Sequence, residues 1–282
     1  MADRYRSQFE PRVLSILSGK GGVGKSVLAF NLAHHFSTLR IRVLLVDADF
    51  AAGNLHVLAN VPSRVGANEY LTRQLSLGEA ITKIDDRLSL LAASWNDRLA
   101  EDRNVVVTAQ FLNDLRADAS SDYDLIIVDH ASGRSNQSAT LAHASDLNLL
   151  VVVPELTSLT DAYALYKFLI GLNRHLPCGL VINRTQSSDE VGYIRTKFPE
   201  LTQRFLGTSP IYCGFLSEST LVRKSIANQS PWSQMEPGSS STNELDIIAN
   251  RLADIVLIDN GPTRANPDIT INKVTATADI RG

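Results

Sequence analysis

The chain has 282 residues, of which 44% are hydrophobic and 20% charged, as in an ordinary soluble globular protein with a full core. Its formal net charge of -3 gives no overall electrostatic attraction for nucleic acid, so DNA binding is not expected. The sequence shows no secretory signal and no long uninterrupted apolar run, which predicts a cytoplasmic protein.

Apolar runs rich in β-branched residues alternate with helical patterns, and this order indicates a mostly parallel β-sheet flanked by helices on both faces. The predicted strands are residues 13–17, 42–47, 88–92, 123–129, 147–153, 178–182 and 210–213. Helices are predicted near residues 26–39, 76–83, 104–118, 136–144, 158–173, 189–197 and 218–227. The sequence therefore predicts a doubly wound α/β fold with its ligand at the carboxyl ends of the strands.

A glycine-rich loop follows the first predicted strand. Residues 19–26 read G-K-G-G-V-G-K-S and satisfy the phosphate-loop pattern G-x-x-x-x-G-K-[ST], between a strand and a helix. Lys25 is expected to reach the β- and γ-phosphates, and Ser26 to bind the Mg²⁺ that bridges them. The loop thus predicts a P-loop NTPase, and the nucleotide that the family resemblance given below implies is ATP or ADP. The predicted nucleotide contacts are Gly19, Lys20, Gly21, Gly22, Val23, Gly24, Lys25, Ser26 and Val27.

Acidic residues close two of the predicted strands. Asp47 suits an outer-sphere Mg²⁺ ligand, and Asp49 suits a group that orients or deprotonates the water attacking the γ-phosphate. Asp129 ends an apolar strand as a Walker B metal ligand does, although a structural strand-end acid is the alternative. For His130, which follows it, we expect a hydrogen-bonded structural role rather than titration beside the phosphates.

The extra lysine of the loop, Lys20, carries a family resemblance. K-G-G-V-G-K-S resembles the deviant Walker A loop of the MinD/ParA superfamily of ATPases. Asp47-Ala48-Asp49 and residues 153–165, V-P-E-L-T-S-L-T-D-A-Y-A-L, look like the FlhG/FleN flagellar-number branch of that superfamily. The resemblance extends from about Val13 to Ala253.

The resemblance implies an ATP-dependent homodimer in which Lys20 crosses the interface to the phosphates of the partner subunit's ATP. It implies that Lys20, Lys25 and Asp49 are the catalytic residues. Asn183 and Arg184 match the family's adenine-binding position, and an asparagine amide can pair with adenine. By resemblance, Glu155 and Asp161 belong to the region lining the dimer interface.

By the same resemblance, slow and partner-regulated ATP hydrolysis would control flagellar number or placement through a flagellar transcription activator or assembly protein. Positioning of another cargo is an alternative: a plasmid, a chromosome, a chemoreceptor array or a secretion machine. A second alternative is a nucleotide-sensing module with little turnover. A third alternative is a metabolic kinase or ligase on the same fold. Residues 1–12 lack the D-Q-A-x-x-L-R segment with which flagellar relatives stimulate an SRP-type GTPase.

MinD-like proteins end in a membrane-binding amphipathic helix, and the corresponding segment here is residues 242–259. Its polar face is mostly acidic, which anionic lipid would repel, so we expect this helix to pack on the core. Peripheral contact with the inner membrane or the cell pole is left open. We expect a loop over residues 230–242 and a single ATPase domain over residues 13–259. An N-terminal extension, residues 1–12, would precede this domain, and a flexible tail, residues 260–282, would follow it.

Overall fold

The computed structural model describes residues 10–62, 65–93 and 105–257. Within these residues, eight strands form one sheet in the order β3-β4-β2-β5-β1-β6-β7-β8. All neighbouring strands are parallel except β3 and β4. The strands are β1 Arg12–Leu17, β2 Val43–Ala48, β3 Thr82–Lys83, β4 Leu88–Leu91, β5 Leu125–His130, β6 Leu147–Val152, β7 Cys178–Thr185 and β8 Ile211–Ser217.

Helices connect the parallel strands and cover both faces of the sheet, which confirms the predicted doubly wound α/β class. The helices of the described residues are α1 Lys25–Thr38, α2 Leu55–Leu58, α3 Ala67–Leu71, α4 Leu77–Ala80, α5 Val105–Ala119, α6 Asn136–His143, α7 Leu156–Leu172, α8 Ser188–Leu206, α9 Thr220–Ala227, α10 Trp232–Met235 and α11 Ser240–Val256. The predicted tail over residues 260–282 and most of the predicted N-terminal extension lie outside the described residues.

The central strands are buried on both faces because successive side chains point into different helical layers. In β1, Leu14 and Ile16 belong to the buried cluster that includes α1 and α11, whereas Val13 belongs to the cluster that includes α5. A third buried cluster lies against α7 and α8. Since both faces are covered, the carboxyl ends of the strands are where polar loops can gather around a ligand.

The structure corrects the predicted helix near residues 76–83. α4 ends at Ala80, and Ile81 already has an extended backbone. Thr82–Lys83 then form β3, which pairs antiparallel with β4 at the edge of the sheet. β-branched residues at 81 and 82 favour this extended conformation over a continued helix.

Two predicted elements end well before the observed ones, and one predicted loop is partly helical. α8 continues to Leu206 through Pro199, and β8 continues to Ser217, beyond their predicted ends at 197 and 213. The predicted loop over residues 230–242 instead contains α10 and the start of α11. Trp232 in α10 is 1% exposed and its backbone N–H donates to Asn31 Oδ1 at 3.1 Å, so tertiary burial of the indole orders this segment.

The last described helix packs on the core, as predicted. Its apolar stripe is buried, with Leu245, Ile248 and Leu252 each at most 1% exposed. Gly214 on β8 has φ 145° and lies so close to Ile248 that a side chain there would have to displace it. α11 therefore packs its apolar face against the edge strand β8. Within the described residues, no helix has the length and apolarity needed to cross a membrane.

Candidate functional site

The predicted phosphate loop lies at the carboxyl end of β1, in the middle of the sheet. Gly22 and Gly24 have φ angles of 77° and 89°, in the left-handed region that glycine adopts without strain. α1 begins at Lys25 with no capping side chain and no acidic residue in its first turn. Its first N–H groups and its positive N-terminal end are therefore available to an anion.

A cavity of about 510 Å³ opens in front of this loop. Its volume lies within the ordinary range for small-molecule sites in proteins. The predicted site residues that line it are Gly21, Gly22, Val23, Gly24, Lys25, Ser26, Val27, Asp49, Asp129, Asn183 and Arg184. Gly19, Lys20 and Asp47, which were also predicted as site residues, lie outside its wall.

Lys25 and Asp129 form a buried ion pair on the cavity wall. Lys25 Nζ donates to Asp129 Oδ1 at 2.6 Å, and the two side chains are 9% and 2% exposed. Burial raises the pKa of the Asp129 carboxyl, while the Lys25 ammonium and a hydrogen bond from Ser26 act in the opposite direction. The Ser26 hydroxyl and the Asp129 carboxylate are oxygen donors of the kind that Mg²⁺ prefers, so these two residues fit the predicted metal.

Asp47 and Asp49 occupy different environments because β2 ends between them. Asp47 is fully buried, and its carboxylate accepts hydrogen bonds from the backbone N–H groups of Asp49 at 3.2 Å and Leu55 at 3.0 Å. Gly53 covers this carboxylate so closely that a Cβ at position 53 would overlap it. Burial, and then the neighbouring Asp129, raise the pKa of Asp47 to about 7. Asp47 thus anchors the turn that presents Asp49 to the cavity, and its role as an outer-sphere metal ligand stays a prediction.

Lys20 extends away from the cavity toward the start of α7. Its Nζ donates to Glu155 Oε2 at 2.5 Å and to Thr157 Oγ1 at 3.0 Å, and its side chain is 37% exposed. Gly19, the preceding residue, packs against the same helix, since a Cβ there would overlap the backbone carbonyl of Asp161. The two lysines of the loop are therefore separated: Lys25 lies inside the cavity wall and Lys20 lies on the neighbouring surface.

Asn183 and Arg184 form the far wall of the cavity at the end of β7. Asn183 Nδ2 donates to the Val23 carbonyl at 2.7 Å, and a Cβ on Gly24 would overlap this amide. Asn183 Oδ1 accepts from the Arg184 backbone N–H at 3.0 Å. Asn183 therefore braces the phosphate loop, while the adenine contact expected of these two residues stays a prediction.

His130 has the structural role expected from the sequence. It is fully buried, its Nε2 lies 2.7 Å from Ser15 Oγ, and Ser15 Oγ lies 2.7 Å from Ser145 Oγ. Burial, and then the nearby Lys25, lower the pKa of His130 to about 3. The imidazole is therefore neutral at physiological pH and ties the end of β5 to β1.

Residues after β8 form a cavity wall that the sequence analysis missed. Glu218 joins two arginines there, accepting from Arg184 Nε at 2.7 Å and from Arg223 Nη2 at 2.6 Å. The predicted strand stopped at residue 213, whereas β8 continues to Ser217, so its carboxyl end was placed four residues too early. The rule that ligands lie at carboxyl strand ends would have found this wall if it had been applied at Ser217. This wall also contains Leu216 and Ser217 at the end of β8, and Ser219, Val222, Ile226 and Trp232 beyond it.

Comparison with known families identifies the domain. The sequence pattern of the CobQ/CobB/MinD/ParA nucleotide binding domain matches residues 14–232. The chain belongs to this family. The matched range contains every residue that lines the cavity.

Individual relatives resemble most of the chain. It is 27% identical to the antiactivator FleN of Pseudomonas aeruginosa, over 91% of this chain and 89% of FleN. It is 26% identical to the flagellum site-determining protein YlxH of Helicobacter pylori, over 86% of this chain and 81% of YlxH. Its fold matches that of the septum site-determining protein MinD from Pyrococcus horikoshii, solved as a complex with Mg-ADP. The TM-score is 0.69 at 22% identity, over 86% of this chain and 96% of MinD.

Proposed function

We propose that this protein is an ATP-dependent dimerisation switch that hydrolyses ATP slowly and thereby times its association with a partner protein. Without ATP it is a monomer, and with ATP and Mg²⁺ two subunits enclose two nucleotides. The cavity, its phosphate loop and the family assignment support nucleotide binding. The likeness to FleN and YlxH supports control of flagellar number or placement as the biological task.

The separation of the two loop lysines carries the proposal. Lys25 Nζ is on the cavity wall, so it can exchange Asp129 for the phosphates of a nucleotide bound by its own subunit. Lys20 does not line that cavity, and its ammonium lies on the exposed surface beside α7. A lysine in that place can neutralise phosphate charge in a second subunit, as an arginine finger does.

Several residues in and beside the cavity have proposed parts in hydrolysis. Mg²⁺, when bound, would offset the negative charge that develops on the transferred phosphoryl group. Ser26 and Asp129 would hold this ion through their oxygen atoms, and Asp129 would be released from its ion pair when Lys25 turns to the phosphates. Asp49 orients the attacking water and accepts its proton. Asp47, by holding the turn over residues 49–55, fixes where the Asp49 carboxylate lies.

Phosphate release by Asp49→Ala tests the hydrolytic part of the proposal. The variant should bind ATP as the parent chain does, release phosphate at least about 10²-fold more slowly, and stay dimeric after ATP addition. Asp254→Ala is the matched control, because Asp254 is an exposed aspartate on α11 that does not line the cavity. Unchanged phosphate release in Asp49→Ala would show that Asp49 does not activate the water.

The flagellar role is tested in the organism that encodes the chain. Deletion of the gene should change the number or position of flagella per cell, and the Asp49→Ala form, held in the ATP state, should produce the opposite change. Normal flagella in both strains, together with mislocalisation of another cellular structure, would assign the switch to a different cargo.

A further inference from the structure

The contact of Lys20 with α7 joins the phosphate loop to its own subunit. Lys20 Nζ lies 2.5 Å from Glu155 Oε2 and 3.0 Å from Thr157 Oγ1, so one ammonium has two acceptors across a single turn. Glu155 is the residue before the first turn of α7, and Thr157 is in that turn. Glu155 lies 135 residues after Lys20 in the chain, so this contact joins two distant segments.

The same ammonium cannot bind these acceptors and a partner's phosphates at once. The hydrogen bond from Lys20 and its charge hold the pKa of the Glu155 carboxyl below its ordinary value. Both side chains are partly exposed, with 37% of Lys20 and 55% of Glu155 accessible. The contact is therefore accessible to competition from solvent ions and from an incoming phosphate.

We propose that Glu155 and Thr157 form a cis latch that holds Lys20 on its own subunit until the nucleotide of a second subunit competes for it. This inference rests on the proposed dimerisation switch and adds a contact that regulates dimerisation. It makes the monomer the resting state, because each subunit must release one latch before a dimer can close. Glu155 and Thr157 are positioning residues, since they act through Lys20.

The size of the effect follows from the nature of the pair. An exposed ion pair contributes about threefold to an equilibrium, and a dimer releases two latches, so their loss should strengthen ATP-dependent dimerisation about tenfold. The difference in dimer affinity between variant and parent chain should decrease as salt is added. Salt weakens the latch of the parent chain, whereas the variant has no latch.

Glu155→Gln is the first test variant, with the dimer dissociation constant measured by sedimentation in a non-hydrolysable ATP analogue and Mg²⁺ at low and at high salt. Glu200→Gln is its matched control, because Glu200 also forms an exposed ion pair with a lysine, Lys197, at 2.9 Å. We expect Glu155→Gln to dimerise more tightly than the parent chain, with a difference that decreases with salt, and Glu200→Gln to dimerise as the parent chain does.

Thr157→Val separates the latch from simple charge repulsion. It removes one acceptor of Lys20 without changing any charge, so the latch predicts a smaller shift in the same direction. A shift in Glu155→Gln alone would mean that the carboxylate merely repels the partner's phosphates, and would overturn the latch. Equal or weaker dimerisation in Glu155→Gln would also overturn it.

Lys20→Ala distinguishes failure of the latch from failure of the switch. If Lys20→Ala loses the dimer while the two latch variants behave as the parent chain does, the switch stands and the latch is wrong. If the parent chain forms no dimer with ATP, the proposed function fails and the latch with it.

Discussion

Removing Lys25 should destabilise the nucleotide-free protein more than removing its partner Asp129. In Lys25→Met the Asp129 carboxylate, 2% exposed and next to the buried Asp47, keeps no cation. Leaving one member of a buried ion pair alone costs about 3 kcal/mol or more. In Asp129→Asn the remaining Lys25 ammonium lies on the cavity wall and can turn into the cavity water, which limits the cost to about 1 kcal/mol.

The double variant Lys25→Met/Asp129→Asn provides the control, because it removes both charges and leaves neither one buried alone. It should be more stable than Lys25→Met by about 1 to 2 kcal/mol. The assay is urea unfolding without nucleotide or Mg²⁺, accompanied by thermal unfolding, where the loss in Lys25→Met should lower Tm by about 6 °C or more. Equal destabilisation by the two single variants, or a double variant with the sum of their losses, would refute the reasoning.

Two further predictions concern buried contacts around the cavity. Burial and Asp129 raise the pKa of Asp47 to about 7, so the folded chain keeps a proton that the unfolded chain releases above about pH 4. The stability that this group contributes is present at low pH and is lost as pH rises through 7. In urea unfolding measured from pH 5 to about 8, the free energy of unfolding of Asp47→Asn should therefore decline less than that of the parent chain. Gly24→Ala should abolish nucleotide binding in calorimetry while Gly78→Ala does not, because Gly24 has φ 89° and abuts Asn183, whereas position 78 has open space.

The sequence was sufficient to predict the phosphate loop and the acidic strand ends because these features are local. The order of strand, glycine-rich loop and helix around Lys25 is written in consecutive residues, and parallel strands necessarily bring their carboxyl ends to one edge. Asp49 and Asp129 therefore reached the cavity as predicted. The packing of α11 on the core was likewise predicted, from the mostly acidic polar face of residues 242–259.

Other parts of the site depend on tertiary packing and have no local signal. The contact of Lys20 with Glu155 joins residues far apart in the chain, and no pattern in either segment indicates which acceptor Lys20 takes. The burial of Asp47 beneath Gly53 follows from the path of a turn rather than from the acidic pair itself. The order of the segment around Trp232 comes from packing of its indole against the core, which outweighs the loop-like composition of its neighbours.

The oligomeric state of the parent chain and of Lys20→Ala, measured by sedimentation with and without a non-hydrolysable ATP analogue and Mg²⁺, tests the central claim most directly. The switch predicts that the parent chain changes from monomer to dimer on nucleotide addition. It predicts that Lys20→Ala still binds the nucleotide but stays monomeric. A parent chain that is monomeric in both conditions, or a Lys20→Ala variant that dimerises as the parent does, would contradict it.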